Sequence, residues 1–400
     1  MKKRVLIGLL VFAFVYFIVY FINDNWTIDY GIPVIQIDLE DVSLEEIHMG
    51  ERKEKYLNNR FRLYTPRKVL DRSVTIRGRG HYSWTLGKRP YQIIFDKRTS
   101  LLNLPASKKY NLLANAPDSS LLKNDFTFCV ANALNLSYSI PGEYVDLYIN
   151  GKYLGNYYIT PKVDIDSSYV DLQDDHAILM ELDNSYYEEE TYFVTSYFHD
   201  HITIKDTESD EYEMEYQVFQ DKYNEMEKAI LDRDYLKLKE LVDIDSFAKY
   251  YLIGEFAQNP DSIQTSVYFY MDGLDDQIHI GPVWDFDIAY GLKPAYKDIT
   301  MMPILNNTFI DDHHTSLLFY ELLKMNEFKQ LVKDTWIGEV QTIYAIEIEK
   351  LDPKIKNLMD SGNLNNKMWN KMSFTKEAFS FKSWLQNRYE YFNQFIRNNF

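Results

Sequence analysis

The sequence predicts an α+β protein of two packed lobes, a sheet-rich lobe followed by a helical one. Three observations carry that expectation. A chain of 400 residues exceeds what one hydrophobic core usually serves. Strand-length apolar runs separated by turn residues dominate as far as residue 164, whereas apolar residues spaced by three and four dominate beyond it. With 46% hydrophobic and 26% charged residues, the composition is that of globular material, which excludes disorder for most of the chain. No internal repeat or long Gly/Ser or Pro linker is visible, so the lobes are expected to be joined closely.

The elements follow in order. Lys2, Lys3 and Arg4 precede an apolar run from Val5 to Ile22 without a charge. At 1.5 Å per residue such a run spans roughly 27 Å, enough for a hydrocarbon core. The cationic flank predicts a cytoplasmic N-terminus, and bulky Tyr20, Phe21 and Ile22 replace the small residues of a cleavage site. Residues 1–22 are therefore expected to be an uncleaved, single-pass transmembrane anchor, inserted through residues 5–22, with the rest of the chain extracytoplasmic. Residues 23–164 are assigned to the sheet-rich lobe. Strands are expected at Ile32–Ile37, Ser73–Ile76, Tyr91–Phe95 and Tyr110–Ala114. Asp118 or Ser119 is positioned to cap a helix carrying Leu121, Leu122, Phe126, Cys129 and Ala133. A hairpin follows, Tyr144–Ile149 and Tyr153–Ile159, around Asn150-Gly151, the preferred chemistry of a two-residue turn. Residues 165–400 are assigned to the helical lobe. One helix carries Tyr212, Tyr216, Phe219, Tyr223, Met226 and Ile230; a second starts at the Asp245 cap and carries Phe247, Tyr251 and Phe256. Two strands, Val267–Met271 and Ile278–Trp284, are expected to flank the turn Asp272-Gly273. The last hundred residues read as helical and place Leu385, Tyr389, Phe392 and Ile396 on one face.

Charge and residue counts narrow the chemistry. Acidic residues outnumber basic ones by 60 to 43, a net charge of −17. Nucleic acid is therefore not an expected partner, because phosphate neutralisation needs clustered Lys and Arg. The single cysteine, Cys129, excludes intramolecular disulfides and Cys-based zinc sites. The adjacent pair His313-His314 lacks metal-ligand spacing, and no Gly-x-Ser-x-Gly elbow is present. The acidic run from Asp206 to Glu215 suits either a solvated helix start or recruitment of a basic substrate. The 33 tyrosines and 24 phenylalanines fall largely at helical spacing, as core and helix-interface residues do.

Two groups of residues could carry chemistry. Arg77-Gly78-Arg79-Gly80-His81, followed by Lys88-Arg89, combines glycines that permit close backbone approach with cations that would meet phosphate oxygens; it could equally be a solvent-facing turn. Asn259-Pro260-Asp261 ends a helix ahead of Trp284-Asp285-Phe286-Asp287, and a tight hairpin between them would bring Asp261 close to Asp285. Phosphoryl transfer uses one carboxylate at the attacking hydroxyl and another on Mg²⁺. Asp285 and Asp287 would share one side of an extended strand, suiting one or two metal ions.

These pieces occur in the order a kinase requires, and several stretches together resemble the spore coat protein H (CotH) kinases. They are Ile76-Arg77-Gly78-Arg79-Gly80 with Ser83-Trp84 and Lys88-Arg89-Pro90-Tyr91; Leu112-Leu113-Ala114-Asn115; the hairpin from Val145 to Gly155; Met180-Glu181-Leu182-Asp183; and Gln258-Asn259-Pro260-Asp261 through Gly281-Pro282-Val283-Trp284-Asp285-Phe286-Asp287. The resemblance implies an atypical protein kinase-like two-lobed fold that transfers phosphate from ATP, with Mg²⁺ or Mn²⁺, to Ser or Thr of a protein substrate. Carried over, Asp261 is the catalytic aspartate and Asp285 the metal-binding one, with Asp287 beside it. Lys88 is the expected phosphate-contacting lysine, with Arg77 and Arg79 as its neighbours. Ser266 stands where the pattern expects a second metal-binding Asn; His81, Tyr82 and Pro161 also depart from the pattern. Two other functions remain open: an adhesion or interaction module on the same fold with weak or no catalysis, which the Ser266 departure favours, and a nucleotide-dependent transferase acting on glycans.

Overall fold

The computed structural model of the protein describes residues 31–184, 191–208, 211–292, 298–308 and 314–400. Seven strands close into a barrel in the order β1-β2-β3-β4-β5-β7-β6: β1 (Val34–Asp38), β2 (Tyr56–Tyr64), β3 (Val69–Gly78), β4 (Tyr91–Thr99), β5 (Ser107–Leu113), β6 (Glu143–Ile149) and β7 (Lys152–Pro161). The seam is the parallel pairing of β1 with β6, Val34 opposite Asp146 and Ile37 opposite Ile149. Alternation sorts the side chains. Along β3, Val74 and Ile76 point into the barrel with Phe61, Leu63, Ile93, Leu112, Val145 and Leu147, leaving Arg77 on the other face. The β6–β7 turn forms at Asn150-Gly151 as expected, both residues left-handed (φ 49° and 73°).

The second half is less purely helical than its periodicity suggests. Five short antiparallel strands form a second sheet in the order β12-β11-β8-β10-β9: β8 (Ala177–Leu182), β9 (Tyr192–Val194), β10 (His201–Thr207), β11 (Val267–Asp272) and β12 (His279–Ile280). Every residue of β8 is buried, Glu181 included, so its apolar run Ala177–Met180 shows no alternation and its period is ambiguous. The α-helices among the described residues are α1 (Leu44–Met49), α2 (Lys123–Ala133), α3 (Glu213–Asp232), α4 (Tyr235–Leu241), α5 (Ile244–Ala257), α6 (Leu318–Leu322), α7 (Asn326–Thr335), α8 (Gln341–Glu349), α9 (Leu351–Trp369) and α10 (Phe374–Asn399). Phe126, Phe128 and Val130 of α2 pack with Tyr223, Phe256, Trp336 and Phe392 in the second core, so this early helix serves the later lobe.

Several expectations are corrected. The second predicted strand stops at Ile280; Gly281 takes φ 133° against Ser137, and Asp285 is left-handed at φ 61°. Asp285 and Asp287 therefore do not share the side of a strand. Helix α5 begins at Ile244 after Asp243, not at an Asp245 cap, and α4, capped by Asp234 accepting from Lys237 N at 3.0 Å, lay unread beside it. The single-pass membrane anchor is not supported: among the described residues no helix is long and apolar enough to cross a membrane, and residues 5–22, on which that expectation rested, lie outside them.

Helix α9 returns to the barrel. Its Ser361 hydroxyl donates to Asp146 at 2.7 Å, Asn365 Oδ1 accepts from Asn156 N at 3.1 Å, and Trp369 Nε1 donates to the Leu154 carbonyl at 2.9 Å. The approach requires Gly155 (φ 115°), where a Cβ would lie 2.5 Å from Asn365 Oδ1.

Candidate active site

Hydrogen bonding across three neighbouring strands builds the floor of a cleft. Arg77, Gln92 and Asn111 stand opposite one another on β3, β4 and β5. Arg77 Nε donates to Gln92 Oε1 at 2.8 Å, and Gln92 Nε2 donates to Asn111 Oδ1 at 3.0 Å. Above this row lies a cavity of about 230 Å³ whose lining includes Arg52, Lys53, Arg77, Arg79, Lys162 and Lys205. Trp284 and Tyr268 enclose it from the second lobe. In a chain of net charge −17, six cations around one cavity concentrate positive charge there.

The glycines of the Arg77–Gly80 stretch have packing reasons. A Cβ on Gly78 would sit 2.6 Å from the Trp84 ring, and Gly80 (φ 69°) abuts Ser83. The tight turn that results aims Arg79 at the cleft, its guanidinium 5.6 Å from the Trp284 ring centroid. The lysines come from elsewhere. Lys162 directly follows β7 and is paired with Asp164; Lys205 on β10 is paired with Glu181 on β8. Burial first, then surrounding cations, pushes both ammonium groups down to about 8. Lys109 and Arg77 act on Lys162, while Lys53 and Arg52 act on Lys205.

Asp285 and Asp287 lie within electrostatic reach of Arg79. Asn259 joins the two motifs: its Nδ2 donates to the Asp285 carbonyl at 3.2 Å, and its Oδ1 accepts from Asp261 N at 3.4 Å. Asp261 thus sits on the turn Pro260–Ile263, tied to the backbone of Asp285. That turn is braced by Asn184 N donating to the Gln264 carbonyl at 2.7 Å and by Thr265 donating to Asp183 at 2.8 Å. On the other flank, Phe286 N donates to Asn124 Oδ1 at 2.8 Å, and Asn124 Nδ2 donates to Asn115 Oδ1 at 3.0 Å. Asn115 ends the Leu112–Asn115 stretch read from the sequence, but its role as the far end of this relay was not legible there.

Burial raises the Asp285 carboxyl, and Arg79 opposes the shift. Asp287 is raised well above the usual carboxylate range, by burial and then by Asp285 and Asp118, against Lys123 and Arg79. Two carboxylates crowded this way favour a bound cation, and Mg²⁺ commonly takes one or two carboxylates with the rest from phosphate and water. Asp285 and Asp287 are hard oxygen donors of the kind a divalent cation takes. They do not form an all-protein cage: among the described residues no group of three or more His, Cys, Asp or Glu is placed to hold a metal ion. Ser266 is left-handed at φ 58° just before β11, and among the described residues no hydrogen bond joins it to Asp285 or Asp287.

Lys88 does not fit the role expected of it. It is buried among barrel residues, its ammonium donating to the Ala114 carbonyl at 2.7 Å and to the Asn156 carbonyl. It lies 4.6 Å from the Tyr157 ring centroid and does not line the cavity. Burial pushes it down to about 7. The cavity lysines 162 and 205, with Arg52 and Lys53, are the cations that sequence reading missed. Only Lys205, within the alternating Ile202–Lys205 stretch, left a trace of its orientation. The family model described as CotH kinase protein matches residues 76–399; no curated protein matches the chain.

Proposed function

The chain belongs to the CotH kinase family, and from that premise we propose that it transfers the γ-phosphate of Mg-ATP to a Ser or Thr hydroxyl of a protein. The family supports a kinase-like function; the observation that carries the finer reading is the cation-lined cavity opening beside Asp285. Arg77, Arg79, Lys162 and Lys205 would receive the phosphates, with Trp284 and Tyr268 as the enclosing aromatic wall. Asp285 and Asp287 would hold Mg²⁺, which when bound neutralises charge on the phosphate oxygens. Asp261 would accept the proton of the acceptor hydroxyl, whose oxygen attacks the γ-phosphorus as the bond to the β-phosphate oxygen breaks and ADP leaves. Asn259 keeps the two aspartates in register, as its paired hydrogen bonds require.

Thermal shift and transfer assays on the full chain test this reading. Mg-ATP at 100 times its dissociation constant adds about 2.7 kcal/mol of stability, visible as a raised midpoint. Asp285→Ala should lose the magnesium-dependent part of that shift. Asp261→Ala should keep the shift and lose label transfer from γ-labelled ATP to protein. Full turnover in Asp261→Ala would move the base elsewhere. No shift with any nucleotide would leave the interaction-module reading, which Ser266 at the second metal position favours.

A further inference from the structure

Two of the six cavity cations come from chain that the family match does not include. Arg52 and Lys53 lie ahead of Ile76, where the match begins, yet both line the cavity. Their placement is fixed locally. Ser43 and Glu46 form a reciprocal cap at the start of α1, with Ser43 N donating to Glu46 Oε2 at 2.8 Å and Glu46 N to Ser43 Oγ at 3.2 Å. The helix ends at Gly50, where a Cβ would meet Tyr56 Oη at 2.5 Å. Arg89 holds the helix end by donating to the His48 carbonyl at 2.6 Å. From this seat Arg52 reaches across and donates to the Gly80 carbonyl, laying the residue 51–55 loop against the Arg77–Gly80 turn.

We propose that Arg52 and Lys53 extend the cleft's anion site so that it selects phosphate-rich nucleotides over nucleoside monophosphates. The proposal rests on the nucleotide reading given above. The charge of Arg52 bears on Arg77, Arg79 and Lys205, and that of Lys53 on Lys205. Crowded cations repel one another, and each further phosphate on a ligand relieves more of that repulsion. A monophosphate relieves little of it. The loop of residues 51–55 thus makes affinity rise with phosphate number.

Titration calorimetry on the full chain with Mg-ATP, AMP and inorganic tripolyphosphate tests it. In the double variant Arg52→Ala/Lys53→Ala, ATP and tripolyphosphate should bind at least about tenfold more weakly, the loss expected for one charge-assisted hydrogen bond, while AMP changes by less than about twofold. The charge-keeping variant Arg52→Lys/Lys53→Arg should restore most of the loss, which a folding defect would not allow. An equal loss for all three ligands, or no loss for ATP, overturns the proposal; the second result leaves the nucleotide reading intact. Variant-sensitive binding of tripolyphosphate by a protein that ignores ATP would support the anion site and end the nucleotide reading. A protein that binds none of the three overturns both.

Discussion

Asp146 and Ser266 show what single positions contribute. Asp146 sits on the barrel seam, fully buried, accepting from Ser361 at 2.7 Å and from the Tyr153 hydroxyl at 2.9 Å. Burial, against those two hydrogen bonds and Lys88, raises its carboxyl to about 6 from an ordinary 3.8. The folded state therefore holds this proton more tightly than the unfolded state does. Its contribution to stability is fully present below pH 3.8 and is lost as pH rises through about 6. Asp146→Asn keeps an acceptor for Ser361 and Tyr153 and should remove that slope. Denaturation midpoints that fall equally between pH 4 and 6 in both proteins would contradict the assignment. Ser266 carries a different cost. A left-handed φ of 58° suits Asn far better than Ser. Ser266→Asn should leave stability unchanged or raise it by up to about 1 kcal/mol, and should tighten the magnesium dependence of nucleotide binding. A clear loss of stability would show that the serine hydroxyl is needed where it stands. The Asp146 role was hidden in the sequence because it depends on Ser361, some two hundred residues away. The Ser266 departure was legible because it breaks a local pattern.

Among the elements, local signals were read well and packing-determined ones were not. The Asn150-Gly151 turn fixes its hairpin through backbone geometry alone, and the Tyr212–Ile230 spacing marks α3 without help from tertiary contacts. Strand β12 shows the limit: the run Ile278–Trp284 has strand composition, but Gly281 must fit against Ser137 and the chain leaves the sheet. Between Asp261 and Asp285 the expected hairpin forms as β11 and β12, and Asn259 adds a tie to the backbone of each aspartate that the sequence did not announce. Lys88 was misplaced because a lysine beside Arg77 and Arg79 in sequence looks equivalent to them, while its buried ammonium satisfies two main-chain carbonyls. The β7–α9 contact offers a test. Gly155→Ala places a Cβ 2.5 Å from Asn365 Oδ1 and 3.0 Å from Trp369 Nε1, on a backbone at φ 115°. Strain and overpacking together should cost roughly 2–4 kcal/mol, measured by urea denaturation. A change below about 0.5 kcal/mol, the size usual for a surface substitution, would mean that α9 does not press on the strand.

For the whole molecule, the α+β class, with a sheet-rich N-terminal region and a helical C-terminal one, was legible from length and periodicity, but the completeness of the barrel was not. Nothing in the composition of residues 31–75 marks them as structural partners of β6. The structure makes them essential to closure: β1 and β2 occupy two of the seven positions, and β3 begins at Val69. A fragment starting at residue 76, where the family match begins, leaves open edges at β6 and at the stump of β3. Such a fragment should aggregate or unfold without a cooperative transition, whereas a fragment from residue 31 should unfold cooperatively. Near-UV circular dichroism against temperature distinguishes them, and a sharp transition in the shorter fragment would show that the barrel tolerates the gap.

The seam between β1 and β6 and the return of α9 also order events during synthesis. Strand β1 has no parallel partner until residue 146 has emerged, and the polar groups of Asp146 and Asn156 have no helix to meet them until residues 361 and 365 follow. Chains grow at about 5–20 residues per second, so the barrel waits on the order of tens of seconds, half-sealed, for the ribosome to deliver its last clasp. A nascent chain stalled between these points would expose unsatisfied barrel positions to chaperones and proteases.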